Sequence, residues 1–539
     1  MPEFASRSRN INDGDAKAAS FALATIFLAI LPGAFPTTAS SLSTSSPTAA
    51  AVDATTLKNK VLFGYQGWFD CPLSGGGWTH WSHGVPAEGT LTVDLYPDLK
   101  EFKTTDLCAA GDLKIAGKQA YLFSAKTPAV VDAHFRWMQD YGLDGVYVQR
   151  FVGETSWKKS TGDVVLKNVM KSAAAYGRVF AIEYDVSGAS DAGFADAIKN
   201  DWKYLVDSLK ITSQPGYLHE GGKPVLSIWG IGFTESHPPA DPAAAAAFIS
   251  WFKTGAEVKY QVFYMGGTPS WWRLLKDDAR ADAAWKPVYK SMDAIQPWAV
   301  GRFGDSAGAE NWKRTSIVPD LAETKANGNL YVPVVFPGFS WKNLNAGPFN
   351  QIPRKGGKFL WRQAMNAKAS GAEALKIAMF DEVDEGTAMF KIAPMRSDAP
   401  DKGTWLTLDA DGLDLPSDWY LRVAGEVTRV FHGSRPMSDT IPFRPGDPIA
   451  LYRESRAVAP FSALTYAAGR DGSLVFHGPE KIGPLRVLDL AGNNLRTLDL
   501  RNGTASWDRS DEAGHPLPAG LYLIQAPGSG AQALRIALP

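Results

Sequence analysis

Leu375-Lys376-Ile377-Ala378-Met379-Phe380-Asp381-Glu382-Val383-Asp384-Glu385-Gly386-Thr387 is the stretch on which the fold reading turns. A short apolar run, Leu375 to Phe380, meets four carboxylates within five residues and then a glycine, the pattern of a buried strand leading into a polar turn. Four like charges repel, and packed at a strand end they push some pKa values upward, as a general acid at neutral pH requires. By composition alone, a solvated acidic turn is the favoured explanation of the segment. What separates the two readings is whether this strand is one of a closed set.

Upstream, the same alternation of a short β-branched or aromatic run with a longer helical segment recurs. Eight strands are predicted: 61–66, 145–151, 179–185, 224–230, 260–266, 294–300, 330–336 and 375–381. Helical spacing fills 128–141, 165–176, 191–209, 242–254, 313–326 and 358–370. Eight strand–helix units predict an α/β chain folded as a (β/α)8 TIM barrel rather than an open doubly wound sheet. No Gly-x-Gly-x-x-Gly follows the first strand, which also argues against a dinucleotide-binding fold.

The 539 residues are too many for one ordinary domain. An apolar run at 21–31, preceded by Arg7, Arg9 and Lys17 and followed by small residues, has the layout of a signal peptide and is too short for a typical membrane span, although Glu3, Asp13 and Asp15 are atypical of its leading region. Residues 1–56 are thus expected to be a signal peptide with a linker, and 57–438 the barrel, closed by a segment containing Trp419 to Gly425. Residues 439–539, where short strands alternate with Gly, Pro and Asn turns, are expected to form an all-β sandwich. Its ending, Trp507-Asp508-Arg509-Ser510 through Pro518-Ala519-Gly520-Leu521-Tyr522, resembles small Ig-like modules appended to secreted bacterial enzymes. Secretion to an extracellular or periplasmic space would let Cys71 and Cys108, the only cysteines, close one disulfide.

Fifty-five basic residues against 56 acidic ones give a formal charge of −1, which argues against nucleic acid or an anionic membrane surface as partner. Eighteen Trp suit either a large core or the flat faces of sugars. Barrel active sites form at the carboxyl ends of the strands. Those positions hold Gln66 and Trp68, Gln149, Glu183 and Asp185, Trp229, Trp298, and Asp381 with Glu382. The loop after the first strand adds His80, Trp81, His83 and Tyr96. Interleaved rings, imidazoles and acids suit a polyhydroxylated ligand, so these are the expected substrate contacts. Two carboxyl groups flanking a glycosidic bond are the usual machinery for its cleavage, and Glu382 and Glu385 are the expected pair. There is no Gly-x-Ser-x-Gly, His-Glu-x-x-His or Cys-x-x-Cys, and Gly111 to Gln119 only loosely matches a phosphate loop. His80 and His83 lack a third ligand at a useful spacing, so no metal and no cofactor is expected. A monomer acting on a polysaccharide or glycan is the expected state.

Gly64-Tyr65-Gln66-Gly67-Trp68-Phe69, Thr79-His80-Trp81-Ser82-His83, Asp94 to Pro97, Ala181-Ile182-Glu183 and above all Phe380 to Thr387 resemble glycoside hydrolase family 99 and its looser family 71/99-like relatives, the endo-α-mannosidases and endo-α-mannanases. Both glutamates of that family's Phe-Asn-Glu-Trp-His-Glu-Gly-Thr signature keep their spacing here. The resemblance implies retention without a carboxylate nucleophile. Glu382 would deprotonate the sugar's own 2-hydroxyl to give a 1,2-anhydro intermediate, and Glu385 would protonate the leaving oxygen and later activate water. Val383 and Asp384 stand where the family has Trp and His, Asp381 where it has Asn, and Tyr184-Asp185 where it has Pro-Tyr, which leaves the sugar open. Two other readings fit the same residues: a glycan-binding protein that keeps the cleft without catalysis, and a lyase-type barrel enzyme using Tyr and His near Glu183.

Overall fold

The computed structural model describes residues 51–155, 159–234, 237–447, 465–468, 473–477, 484–489, 493–525 and 534–538. The expected signal segment at 21–31 lies outside them. The strands are β1 (Val61–Tyr65), β2 (Leu107–Ile115), β3 (Lys118–Phe123), β4 (Gly145–Phe151), β5 (Val179–Asp185), β6 (His219–Glu220), β7 (Lys223–Trp229), β8 (Phe263–Thr268), β9 (Ala294–Pro297), β10 (Leu330–Tyr331), β11 (Val334–Val335) and β12 (Leu375–Ile377).

Parallel pairing runs β10-β9-β8-β7-β5-β4-β1-β12-β11. Because β10 and β11 are the two halves of one predicted strand, this order is a closed ring of eight. Pro333 divides that strand, since it has no N–H to give to the ladder. The first half pairs with β9 and the second with β12, and Val332 N–H to Ile295 O and Lys376 N–H to Pro333 O bridge the gap. The eight predicted strands are all present, with ends moved by a few residues. The predicted helix 313–326 is instead two helices, Ser306–Trp312 and Val318–Asn327, around a wide turn at Lys313–Ile317, where Pro319 cannot donate back to the preceding turn. The segment predicted as a closing element is a helix from Trp419 to Phe431.

Alternation along the strands stacks inward side chains in layers. The lowest is apolar and buried: Leu62, Tyr147, Ala181, Val225, Met265, Ala294 and Ala374. Two residues further along each strand a polar layer follows, made of Gln149, Glu183, Ser227, Gln296 and Lys376. Gly64 belongs to this level, where a Cβ would fall 2.0 Å from the Met379 Cε and 3.5 Å from the Lys376 Cε. Two residues further again come Gln66, Asp185, Trp229 and Trp298.

The antiparallel hairpin β2–β3 was not anticipated by the sequence reading; it contains Gly111 to Gln119, and the Gln119 amide donates to carbonyls of its own turn, so no phosphate loop exists there. Cys71 and Cys108 are joined by a disulfide that ties the loop after β1 to β2. Towards the carboxyl terminus, β13 (Thr465–Ala468), β14 (Leu474–His477) and β17 (Thr504–Trp507) form one antiparallel sheet, and β15 (Leu485–Leu488), β16 (Asn494–Leu498), β18 (Gly520–Gln525) and β19 (Leu534–Leu538) form another. They share a core of their own around Phe476, Val487, Trp507 and Ile524.

Candidate active site

The polar layer of the barrel is a hydrogen-bonded network around one buried ion pair. Lys376 Nζ lies 2.5 Å from Glu183 Oε1 and donates to Gln296 Oε1 at 3.2 Å, while Ser227 Oγ and Gln149 Nε2 donate to Glu183 at 2.8 and 3.1 Å. Both charged side chains are fully buried. The expectation that Glu183 touches substrate is therefore corrected: its oxygens are spent on a buried ion pair and two donors, and it forms the floor beneath the rim.

Above the floor lies the turn at 381–388, and it is buried rather than solvated. Asp381, Glu382 and Asp384 are 1, 5 and 2% exposed, and Glu385 is partly exposed. The turn is held from several sides. Gln66 and Gly67 N–H donate to the two Asp381 oxygens at 2.8 and 2.9 Å, which fixes the end of β1. Asp94 and Leu95 N–H donate to Val383 O, and Ser340 N–H donates to Glu385 O. The Arg354 guanidinium, buried and 3.9 Å from the Tyr420 ring centroid, donates to the carbonyls of Gly386 and Ala388. Gly386 adopts φ +70°, and a Cβ there would fall 2.8 Å from Ser340 N, so both the backbone and the contact require glycine. Asp381 is thus corrected from a substrate contact to a backbone clamp with both oxygens engaged.

Glu382 accepts from Gln66 Nε2 at 2.6 Å and from Thr387 Oγ1 at 2.5 Å. Burial raises its pKa against these hydrogen bonds and the Lys376 charge, which lower it. Glu385 is pushed well above the usual carboxylate range by burial, then by the charges of Glu382 and Asp185. Asp384 is pushed well up by burial and by Glu382 and Glu385. Burial raises Asp381 to about 7 and Asp185 to about 6. A rim that keeps several carboxyl groups protonated near neutrality can supply both a proton donor and a proton acceptor.

Two aromatic groups stand at the strand ends. Trp68 stacks flat on His80, centroids 3.9 Å apart, and on Phe151 at 4.9 Å. Trp229 meets Trp298 edge-on at 5.4 Å and neighbours Phe233 and His237. The indole N–H groups of Trp68 and Trp229 and the amide oxygens of Gln66 and Gln149 have no partner among the described residues. Gln66, Trp68, Gln149 and Phe151 also line a cavity of about 410 Å³.

Three further expectations fail or fall short. Trp81 is fully buried and its indole donates to Phe123 O, so it is core. Tyr96 is 4% exposed, its hydroxyl donates to Tyr121 O and its ring packs on Trp405, so it anchors the β2–β3 hairpin instead of facing the rim. His83 is exposed, and its backbone N–H donates to Thr90 O within its own loop. Gln66, Trp68, His80, Gln149, Asp185, Trp229 and Trp298 do gather at the strand ends with Glu382 and Glu385. Asp94, quoted with the first loop but given no role, accepts from Ser340, Lys342 and Asn343 and so ties that loop to the rim, and Arg354 was missed. Neither carries a local signal, because each acts across more than 30 residues.

No family model matches this chain, and no curated protein matches it. Among solved structures it is similar to the GH99 endo-α-mannosidase from Bacteroides thetaiotaomicron, at 20% identity and a TM-score of 0.50, over 70% of this chain and 99% of that one. The same enzyme in complex with BIS-TRIS-propane aligns at 19% identity and a TM-score of 0.50, over 71% of this chain and the whole of the other. The likeness is one of fold.

Proposed function

We propose that this chain is an exported glycoside hydrolase whose barrel, residues 57–438, cleaves a polysaccharide or glycan internally and with retention. Glu382 acts as base toward the substrate's 2-hydroxyl, so that a 1,2-anhydro sugar forms as the leaving group departs. Glu385 gives its proton to the departing oxygen and then takes one from the water that opens the anhydro ring, while Glu382 returns its proton to O2. The observation that carries the reading is the burial of the 381–388 turn, which keeps Glu385 protonated beside Glu382 where a solvated turn would not. The fold shared with an endo-α-mannosidase supports it, and so does the equal spacing of the two glutamates. Gln66 sets the Glu382 carboxylate by its amide hydrogen bond, while the partly exposed Trp229 offers a ring face for sugar C–H groups. The Cys71–Cys108 disulfide supports export to an oxidising compartment.

Screening a polysaccharide panel for new reducing ends tests cleavage. On a substrate so found, Glu382→Gln and Glu385→Gln should each lower kcat by roughly 100-fold or more, the scale of general acid–base catalysis. Glycans that bind without any release would instead favour the non-catalytic reading.

A further inference from the structure

The acid–base reading employs Glu382 and Glu385 and leaves Asp384 without a task. Asp384 is 2% exposed, its Oδ1 has no donor among the described residues, and its Oδ2 lies 3.9 Å from His80 Nδ1. The His80 side chain beside it is 27% exposed. Independently, Gln66 is 8% exposed with its amide nitrogen spent on Glu382 and its amide oxygen unpartnered. Gln149 repeats the pattern, its nitrogen on Glu183 and its oxygen without a donor. Buried acceptors that lack donors are costly unless a ligand supplies them.

The nearby cations cannot fill that need. Lys376 is paired with Glu183, Arg150 with Asp163 and Asp201, Lys126 with Asp70, and Arg354 is spent on main-chain carbonyls. Asp185, Glu382, Asp384 and Glu385 therefore share one rim with no ion pair to a Lys or Arg among the described residues. A uronic acid or sulfated sugar would bring negative charge against carboxyl groups that have no cation beside them, and a neutral sugar would bring no cation. An ammonium group brings the missing positive charge and three donors.

We propose that the glycan cleaved here contains an unacetylated hexosamine, whose ammonium group is received by Asp384 and the Gln66 amide oxygen beside the cleavage position. The proposal rests on the glycosidase reading for the location of the site. Its recognition step is binding, so it stands or falls separately from catalysis. An amine that pairs with Asp384 also draws the carboxyl toward its ionised form, releasing a proton on binding.

Intrinsic tryptophan fluorescence of the full chain, carrying Glu385→Gln to exclude turnover, can follow titration with glucosamine, galactosamine and mannosamine and with their N-acetyl forms. At least one amine should bind roughly tenfold more tightly than its N-acetyl counterpart, and Asp384→Asn should abolish that preference. Calorimetry in two buffers of different ionisation enthalpy should show proton release for the amine and none for the N-acetyl sugar, which gives a readout that needs no substitution at 384. The proposal is overturned if no amine outbinds its N-acetyl form, if the preference survives in Asp384→Asn, or if amine binding releases no proton. Hydrolysis lost in Glu385→Gln with no amine preference would leave the glycosidase reading intact and remove this one.

Discussion

The barrel buries carboxylates at two levels and treats them in opposite ways. At the floor, Glu183 meets Lys376, Ser227 and Gln149, so its charge is answered on every side. One layer higher, the 381–388 turn buries Asp381, Glu382 and Asp384 without an ion pair to Lys or Arg among the described residues, and burial lifts their pKa values. A buried acid with its counter-ion is architecture, whereas a group of buried acids without one is costly to fold and is kept where protons must move. The contrast also explains why Glu183, which the sequence placed with the substrate contacts, belongs to the scaffold.

The largest effect should come from splitting the floor pair. Lys376→Met leaves Glu183 buried without its counter-ion, and should destabilise the chain by roughly 3–5 kcal/mol in denaturant titration. Lys376→Met combined with Glu183→Gln should recover most of that loss. If the single substitution cost no more than the double, the floor pair would not be the scaffold described here.

The two kinds of tryptophan sharpen the same distinction. Trp81→Ala, which empties a core position, should cost about 3–5 kcal/mol of stability. Trp229→Ala, at a partly exposed rim position, should cost much less stability and instead weaken glycan binding, read by fluorescence or calorimetry. Equal destabilisation by both would place Trp229 in the core.

A smaller effect concerns pH. Asp185 and Asp381 have folded pKa values raised to about 6 and about 7 from an ordinary 3.8, so the folded chain holds more protons than the unfolded one across that interval. Their contribution to stability is full below pH ~4 and is lost as pH rises through the folded values, so Tm should fall between pH ~4 and ~7. Asp384, raised in the same direction, adds to this decline. Asp384→Asn should therefore flatten the Tm–pH curve, its advantage growing as pH rises. A curve as steep as that of the unsubstituted chain would mean that Asp384 is not held protonated.

Much of this was legible in the sequence. The strand positions followed from apolar runs alternating with helical spacing, and the end of each strand located Gln66, Asp185, Trp229 and the acidic turn, because layers in a barrel repeat every second residue. What escaped was whatever depends on contacts distant in the chain. Trp68 and Trp81 look alike in sequence, but the first stacks on His80 at the rim and the second donates to Phe123 in the core. Glu183 and Glu382 both end apolar strands, yet only Glu183 meets a lysine brought from another strand. The seventh strand was read as one run, and the structure breaks it at Pro333 into halves that pair with different neighbours. The hairpin β2–β3 was hidden by the glycines and lysines of its turn, which suit several loop types.

The central claim is that the buried acidic turn is catalytic and that Glu385 is its proton donor. The most direct measurement is kcat/KM of Glu385→Gln against the unsubstituted chain on a released glycan, with binding of the same glycan measured in parallel. The account predicts a rate lower by roughly 100-fold or more with affinity kept within a few-fold. An unchanged rate would contradict it.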